Sequence, residues 1–304
     1  MQVLLRAVPG YCPGRQFSTV DRDRARQLIK QLTREAGELM MKGQEQKPEF
    51  IIKAHQRDLV TQTDKAVERL LVGGIRKQFP DHEIIAEEGT EGTAKNWVVS
   101  DAPTWIIDPV DGTMNFVHGF PHFCTSIALY VERRAVLGWI DNPMLRHTYV
   151  AQQGSGFYFN GNPMRVSGQR DLKQSLVCLD WTVALGEDGQ DSASPNIFKL
   201  LPMVHGVRAL GSTALNLAQV AIGACDAYLQ FGSHVWDWAA GVLMVEEAGG
   251  VVIDPCGGPF DIYSRRMLAT ATAELAEQMV PLVQQLFPQP RDDEPTNPGK
   301  QSKP

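Results

Sequence analysis

Apolar residues recur at three- and four-residue steps across residues 21–42: Ala25, Leu28, Ile29, Leu32, Ala36, Leu39 and Met40. That period places them on one face of a helix, and Gly43 is positioned to stop it. A second helix is expected over 64–78, capped by Thr63, with Val67, Leu70, Leu71 and Ile75 turned inward and a solvated polar face. Short apolar runs then replace the helical period. Strands are expected at 83–86, ending in Glu87-Glu88-Gly89, and at 105–107, ending in Asp108-Pro109-Val110-Asp111-Gly112. Segments 123–131, 135–140 and 147–152 read as antiparallel strands, with turns at 132–134 and 141–143. Asn160-Gly161 is a hairpin turn signal. Residues 185–196 read as an exposed loop. Gly211-Ser212-Thr213 opens a helix through Val220, and 227–231 is a strand. Asp237 precedes a helix over 238–248 as its cap, Gly249 stops that helix, and 251–253 is a further strand. The mixture of hairpins and strand-to-helix crossovers predicts an α/β chain, mixed α+β, in which sheets and helices form layers.

Composition narrows the class. The 304 residues are 43% hydrophobic and 21% charged with a net charge of −6, which excludes wholesale disorder and argues against a nucleic-acid partner. No apolar run approaches the ~18 residues of a membrane span. Five widely spread cysteines without a CxxC pair disfavour a zinc site or disulfide framework and suit a reducing, cytoplasmic setting. Residues 1–20 read as a flexible extension and 288–304, rich in Pro, Asp and Lys, as a disordered tail. A single domain is expected over 21–287, with lobes of about 21–184 and 197–287. No repeat of 20–50 residues and no P-loop, HExxH, GxSxG or complete GxGxxG motif occurs.

The chemistry concentrates in four acidic segments. In Trp105-Ile-Ile-Asp-Pro-Val-Asp-Gly-Thr-Met-Asn-Phe116, an apolar strand delivers Asp108, and Asp111 follows three residues later. Two carboxylates on a tight turn can converge on one hard cation such as Mg²⁺, and Gly112 lets backbone amides approach a phosphate. A solvent-exposed Asx turn capping a helix fits the same residues. Glu87 and Glu88 at a strand end repel each other unless something positive lies nearby, although paired surface glutamates are commonplace. Asp237, between Trp236 and Trp238, can cap a helix and still turn an oxygen toward a cation. Asp64 lies where a helix dipole favours an acid. The seven histidines show no metal-ligand spacing.

Together these segments resemble the inositol monophosphatase family of Mg²⁺-dependent, lithium-sensitive phosphatases. The resemblance rests on Asp108-Pro-Val-Asp-Gly-Thr113, on Trp236-Asp-Trp-Ala-Ala-Gly241 with Glu247-Ala-Gly-Gly250, and on the flanking Asn115-Phe-Val-His-Gly-Phe-Pro121 and Gly257-Gly-Pro-Phe-Asp261. It extends over nearly the whole chain, and animal-type members are the nearest look-alikes. It implies an α-β-α-β-α layered sandwich, usually a homodimer, that hydrolyses a small-molecule phosphate monoester. It also implies two or three Mg²⁺ per site and Li⁺ as an inhibitor. Glu87, Asp108 and the Val110 carbonyl would hold one ion, and Asp108, Asp111 and Asp237 a second, with Asp64 close by. Glu87 and Thr113 would orient the attacking water, and the amides of Gly112 and Thr113 would bind phosphate. Gly211, Ser212 and Thr213 would neighbour the inositol ring, and Lys53 would play a supporting part. Gln230 stands where the best-known animal members carry a glutamate that accepts from inositol hydroxyls. An amide still accepts, but without charge.

Overall fold

The computed structural model describes residues 19–46, 49–52, 59–89, 97–180 and 193–294. Helix α1 (Thr19–Glu45) runs two residues beyond Gly43, because Gln44 and Glu45 are good helix formers and Gln44 Nε2 anchors the end to the Phe116 carbonyl at 2.7 Å. Strands β1 (Phe50–Ile52) and β2 (Leu59–Thr61) pair antiparallel. All three β1 side chains are exposed, so no in-out alternation marks that strand in the sequence. Helix α2 (Gln62–Gln78) is capped by Thr61 rather than Thr63. The Thr61 hydroxyl accepts from the amides of Thr63 and Asp64, and the Asp64 carboxylate accepts from the Thr61 amide at 2.9 Å. This reciprocal box satisfies free first-turn donors, and Thr63 already lies inside the helix.

Seven strands follow: β3 (Glu83–Ala86), β4 (Thr104–Asp111), β5 (Cys124–Val131), β6 (Arg134–Asn142), β7 (His147–Gln152), β8 (Gly156–Phe159) and β9 (Asn162–Met164). They form one sheet in chain order, parallel between β3 and β4 and antiparallel thereafter. The turn between β8 and β9 has Asn160 at φ 47° and Gly161 at φ 80°, as the dipeptide predicts. The short helix α3 (Thr113–His118) leaves the end of β4. The second sheet comprises β10 (Leu176–Leu179), β11 (Gly206–Arg208), β12 (Ala227–Phe231), β13 (Val251–Ile253) and β14 (Arg266–Thr270), ordered β11-β10-β12-β14-β13. Its helices are α4 (Ala193–Leu200), α5 (Thr213–Ala221), α6 (Val235–Glu247) and α7 (Ala273–Met279).

Alternating strand residues sort these elements into five layers. On one face of the first sheet, Trp105 and Ile107 pack with Ala25 and Ile29 of α1 and Leu71 and Ile75 of α2. On the other face, Ile106, Ala128 and Ile140 pack with Leu217 of α5 and Ala240 and Leu243 of α6. The same two helices cover Cys178, Tyr228 and Met267 of the second sheet, whose far side, Val177, Leu229 and Leu268, rests on α4 and α7. The order is therefore α-β-α-β-α, as expected. All eight residues of β4 are buried, because helices cover both of its faces. Gly138 on β6 permits the central contact: a Cβ there would lie 2.7 Å from the Ala240 carbonyl of α6.

Three further expectations need correction. Of the expected loop at 185–196, residues 185–192 lie outside the described residues, and the last four open α4. Asp237 is the third residue of α6, not its cap, since the helix begins at Val235 after an extended His234. Residues 291–294 are not a disordered tail. Asp292 is buried and hydrogen-bonded to His234 and Val235, while Arg291 pairs with Asp261 and Asp293. One of the charges that made this segment look solvated, Asp292, is the partner of a buried amide. Residues 1–18 and 295–304 lie outside the described set. Among the described residues no helix is long and apolar enough to cross a membrane.

Two outcomes follow from this packing. Gly138→Ala should lower the unfolding free energy by about 1–3 kcal/mol in urea titrations, because the obstructing atom is helix backbone. His82 accepts a hydrogen bond at Nδ1 from Trp105 Nε1 at 3.0 Å, and burial lowers its pKa from 6.5 to about 4. The unfolded chain therefore binds the extra proton between those values, so this contribution is complete above pH 6.5 and is lost as pH falls toward 4. His82→Gln keeps an acceptor without a titration and should flatten the decline of melting temperature over that interval.

Candidate active site

In a regular strand, residues three apart face opposite sides, so Asp108 and Asp111 should diverge. A bulge prevents this. Asp108 pairs with Ser126 and Asp111 with Cys124, so two residues on β4, Pro109 and Val110, stand opposite one on β5. Pro109 has no amide to lose from the ladder, and its carbonyl accepts from the Thr125 hydroxyl at 2.9 Å. The convergence expected of a turn is thus produced by an irregular strand. Gly112 then adopts a left-handed φ of 84°, and a Cβ there would meet the His122 carbonyl at 2.9 Å and the Gly211 carbonyl at 3.2 Å. The tightly packed crossing turns the chain into α3.

Asp111 reaches the start of α5. Its Oδ2 accepts from the Ser212 hydroxyl and, at 2.8 Å, from the Ala214 amide, while Oδ1 accepts from the Thr213 amide at 3.3 Å. Burial nevertheless dominates and lifts its pKa to about 6. The turn before α5 is held from both sides. Asp180 accepts from the Leu210 and Gly211 amides at 2.9 Å each, and Asn115 Nδ2 donates to the Leu210 carbonyl at 2.7 Å. Asp237 arrives from α6, with Oδ2 accepting from the His234 amide.

The result is a cluster in which Asp108, Asp111 and Asp237 offer oxygens within 4.8 Å of one another. Burial, and then the charges of Glu87, Asp111, Asp237 and Asp64, raise the Asp108 pKa well above the usual carboxylate range. Asp237 is raised by burial and by Asp111, against the His234 amide bond. Asp108 is 1% exposed, and its Oδ1 has no hydrogen-bond partner. The Arg265 guanidinium acts on Asp237 from a distance, but burial and the neighbouring acids prevail at Asp108 and Asp237. A set of hard oxygens with an unpartnered buried acceptor fits a divalent cation such as Mg²⁺.

The other expected residues are placed unevenly. Glu87 follows β3 and stands outside the three-carboxylate cluster, but its charge raises both Asp108 and Asp237. Asp64 lies beneath Thr113, whose hydroxyl meets Asp64 Oδ1 at 3.2 Å and the Val110 carbonyl at 2.9 Å. Burial raises Asp64 to about 6. Gln230 is buried on β12. Its Nε2 donates to the Ser233 hydroxyl at 2.9 Å, and its Oε1 has no partner. Ser233 meets the Thr213 hydroxyl at 3.1 Å, which links Gln230 to the start of α5. Lys53 lies outside the described residues. Sequence reasoning missed Asp180, His234 and Asp292. Asp180 falls in a segment without a legible pattern, and Asp292 sits in a stretch whose composition resembles a solvated tail.

Comparison with known proteins agrees with this geometry. Residues 15–287 match the model of the inositol monophosphatase family. The chain is 39% identical to inositol monophosphatase 1 of Bos taurus over 264 residues, covering 86% of this chain and 95% of that protein. It is 40% identical to inositol monophosphatase 2 of Rattus norvegicus over 273 residues, covering 90% and 93%. Among solved structures, the IMPase of Thermotoga maritima superposes with a TM-score of 0.76 at 34% identity, covering 86% of this chain and 96% of that one. With this site in this fold, the chain belongs to the inositol monophosphatase family.

Proposed function

We propose that this protein hydrolyses inositol monophosphates to inositol and phosphate in a Mg²⁺-dependent reaction. The observation that carries the reading is the convergence of the buried Asp108 and Asp111 with the half-buried Asp237, together with the unpartnered Asp108 oxygen. In this reading Glu87, Asp108 and the Val110 carbonyl hold one ion, Asp108, Asp111 and Asp237 hold another, and Asp64 stands beside them as a further acidic group. When bound, magnesium supplies neutralisation of the phosphate charge and lowers the pKa of water at the site.

The chain's own groups supply position. The Thr113 hydroxyl, bridging Asp64 and the Val110 carbonyl, is fixed next to the carboxylates and, with Glu87, orients the attacking water. The amides of Gly112 and Thr113 face the substrate phosphate at the tight crossing after β4. Ser212 and the Thr213 and Ala214 amides hold Asp111 in one orientation, so no reorganisation is needed when charge develops. Gly211, Ser212 and Thr213 border the sugar. Gln230 Oε1, buried and unpartnered, accepts from a sugar hydroxyl, with Nε2 committed to Ser233. Asp237 completes the sugar and metal contacts from α6. The same reading expects Li⁺ to inhibit, and a homodimer in a reducing compartment; every cysteine among the described residues is free.

Release of phosphate from myo-inositol 1-phosphate with Mg²⁺, compared with other sugar phosphates, fructose bisphosphate and a nucleotide 3′-phosphate, tests the substrate. The inositol ester should be turned over best and saturating Li⁺ should suppress the rate; no release at any Mg²⁺ concentration would refute the reading. Asp111→Asn should reduce kcat/KM by about a hundredfold or more while the circular dichroism spectrum is retained. Asp108→Asn should abolish activity yet raise the metal-free melting temperature, because it removes a buried charge repelled by its neighbours.

A further inference from the structure

Beyond α7 the chain returns to the start of α6. Asp292, 5% exposed, accepts from the Val235 amide at 2.9 Å through Oδ2 and meets His234 Nδ1 at 2.7 Å through Oδ1. The segment is secured on both sides of that residue. The Asp292 amide donates to the Tyr263 carbonyl at 3.1 Å. Arg265 donates to the Pro290 carbonyl at 3.1 Å and to the Gly232 carbonyl at 2.8 Å. Arg291 donates to Asp261 at 2.8 Å and to Asp293 at 2.9 Å. The His234 ring stacks on Trp236 at 4.8 Å between centroids, and the edge of Trp97 meets it at 5.3 Å.

The position matters because Asp237 occupies the same helical turn. The first amides of a helix lack internal partners, and a carboxylate in the first turn is drawn to them. Asp292 occupies the Val235 amide and ties down the His234 side chain. The His234 amide then engages Oδ2 of Asp237, the one oxygen of that carboxylate held by a hydrogen bond among the described residues. Two acids thus divide the donors at this helix start. Asp292 takes the Val235 amide and the His234 ring, Asp237 takes the His234 amide, and Asp237 is left with one oxygen to turn toward Asp108 and Asp111.

We propose that Asp292 is a positioning residue for Asp237: through Val235 and His234 it fixes the first turn of α6 so that Asp237 presents an oxygen to the metal. The proposal rests on the reading of Asp237 as a metal ligand. It is tested on the full chain by calorimetric titration with Mg²⁺ alone, next to metal-free near-ultraviolet circular dichroism. Asp292→Ala should weaken Mg²⁺ binding about tenfold, in the range seen when an outer partner of a metal ligand is removed. Asp292→Asn keeps an acceptor for Val235 and should recover part of that loss. A purely structural role would change the metal-free melting temperature in both variants and leave Mg²⁺ affinity at the wild-type value. That result, in variants with a wild-type metal-free spectrum, overturns the proposal alone. If Asp292→Ala does not fold, Asp292→Asn decides, and undiminished affinity overturns the proposal. Absence of Mg²⁺ binding in the wild-type chain would remove the metal reading, and the proposal with it.

Discussion

Mutual repulsion among buried carboxylates governs this molecule. Two full charges 5 Å apart in a protein medium repel by about 3 kcal/mol, and a folded domain has only about 5–15 kcal/mol in total. Asp108, Asp111 and Asp237 lie within such a distance, with Glu87 and Asp64 adding to the field. Left to itself the cluster binds protons, which relieves the repulsion and also the burial of charge that is the larger cause of the upward shifts. A divalent cation relieves it without consuming the charge. The site is therefore unstable as a set of free carboxylates and favourable as a set of ligands.

The rest of the fold keeps those groups from moving apart. Asp108 and Asp111 are carried by β4, the strand buried on both faces, and the bulge at Pro109 and Val110 turns them to one side. The central helical layer brings two helix starts to the same place. The start of α5 receives Asp111, and the start of α6 carries Asp237. Helix starts suit this task because their free amides stabilise negative charge. At Gly138 α6 approaches β6 closely, and the returning segment places Asp292 against the first amide of that helix.

A second polar system runs alongside the first. From Gln230 through Ser233 and Thr213, hydroxyls lead to Tyr228 and then to Asp180, which holds the turn before α5. Every step is a hydrogen bond between buried groups, so a change at one end is felt as geometry at the other. Gln230 enters this chain with its donor and leaves its acceptor open. Where a carboxylate would add another charge to an already repulsive site, the amide adds none. Gln230 and the carboxylate cluster are thereby less strongly coupled electrostatically.

Much of this was legible in the residues themselves. Periodicity located most helices and strands, because burial on one face imposes a 3.6- or two-residue repeat whatever the partner. Asp108, Asp111, Asp237 and Glu87 were singled out by the family resemblance their combined motifs carry, because each acid taken alone also fits a turn, a cap or an exposed surface. Boundaries were less legible: Thr61 displaced Thr63 as a cap, and His234 displaced Asp237, because a cap is chosen by backbone direction as well as side-chain type. Invisible in the sequence were the bulge that aligns Asp108 with Asp111, the bond from Asp180 to a turn 30 residues on, and the burial of Asp292 against a helix 57 residues before it. Local sequence determined which groups could bear charge and which faces had to be buried. Only the tertiary structure decided which charges met, because that depends on contacts between distant segments that no local pattern records.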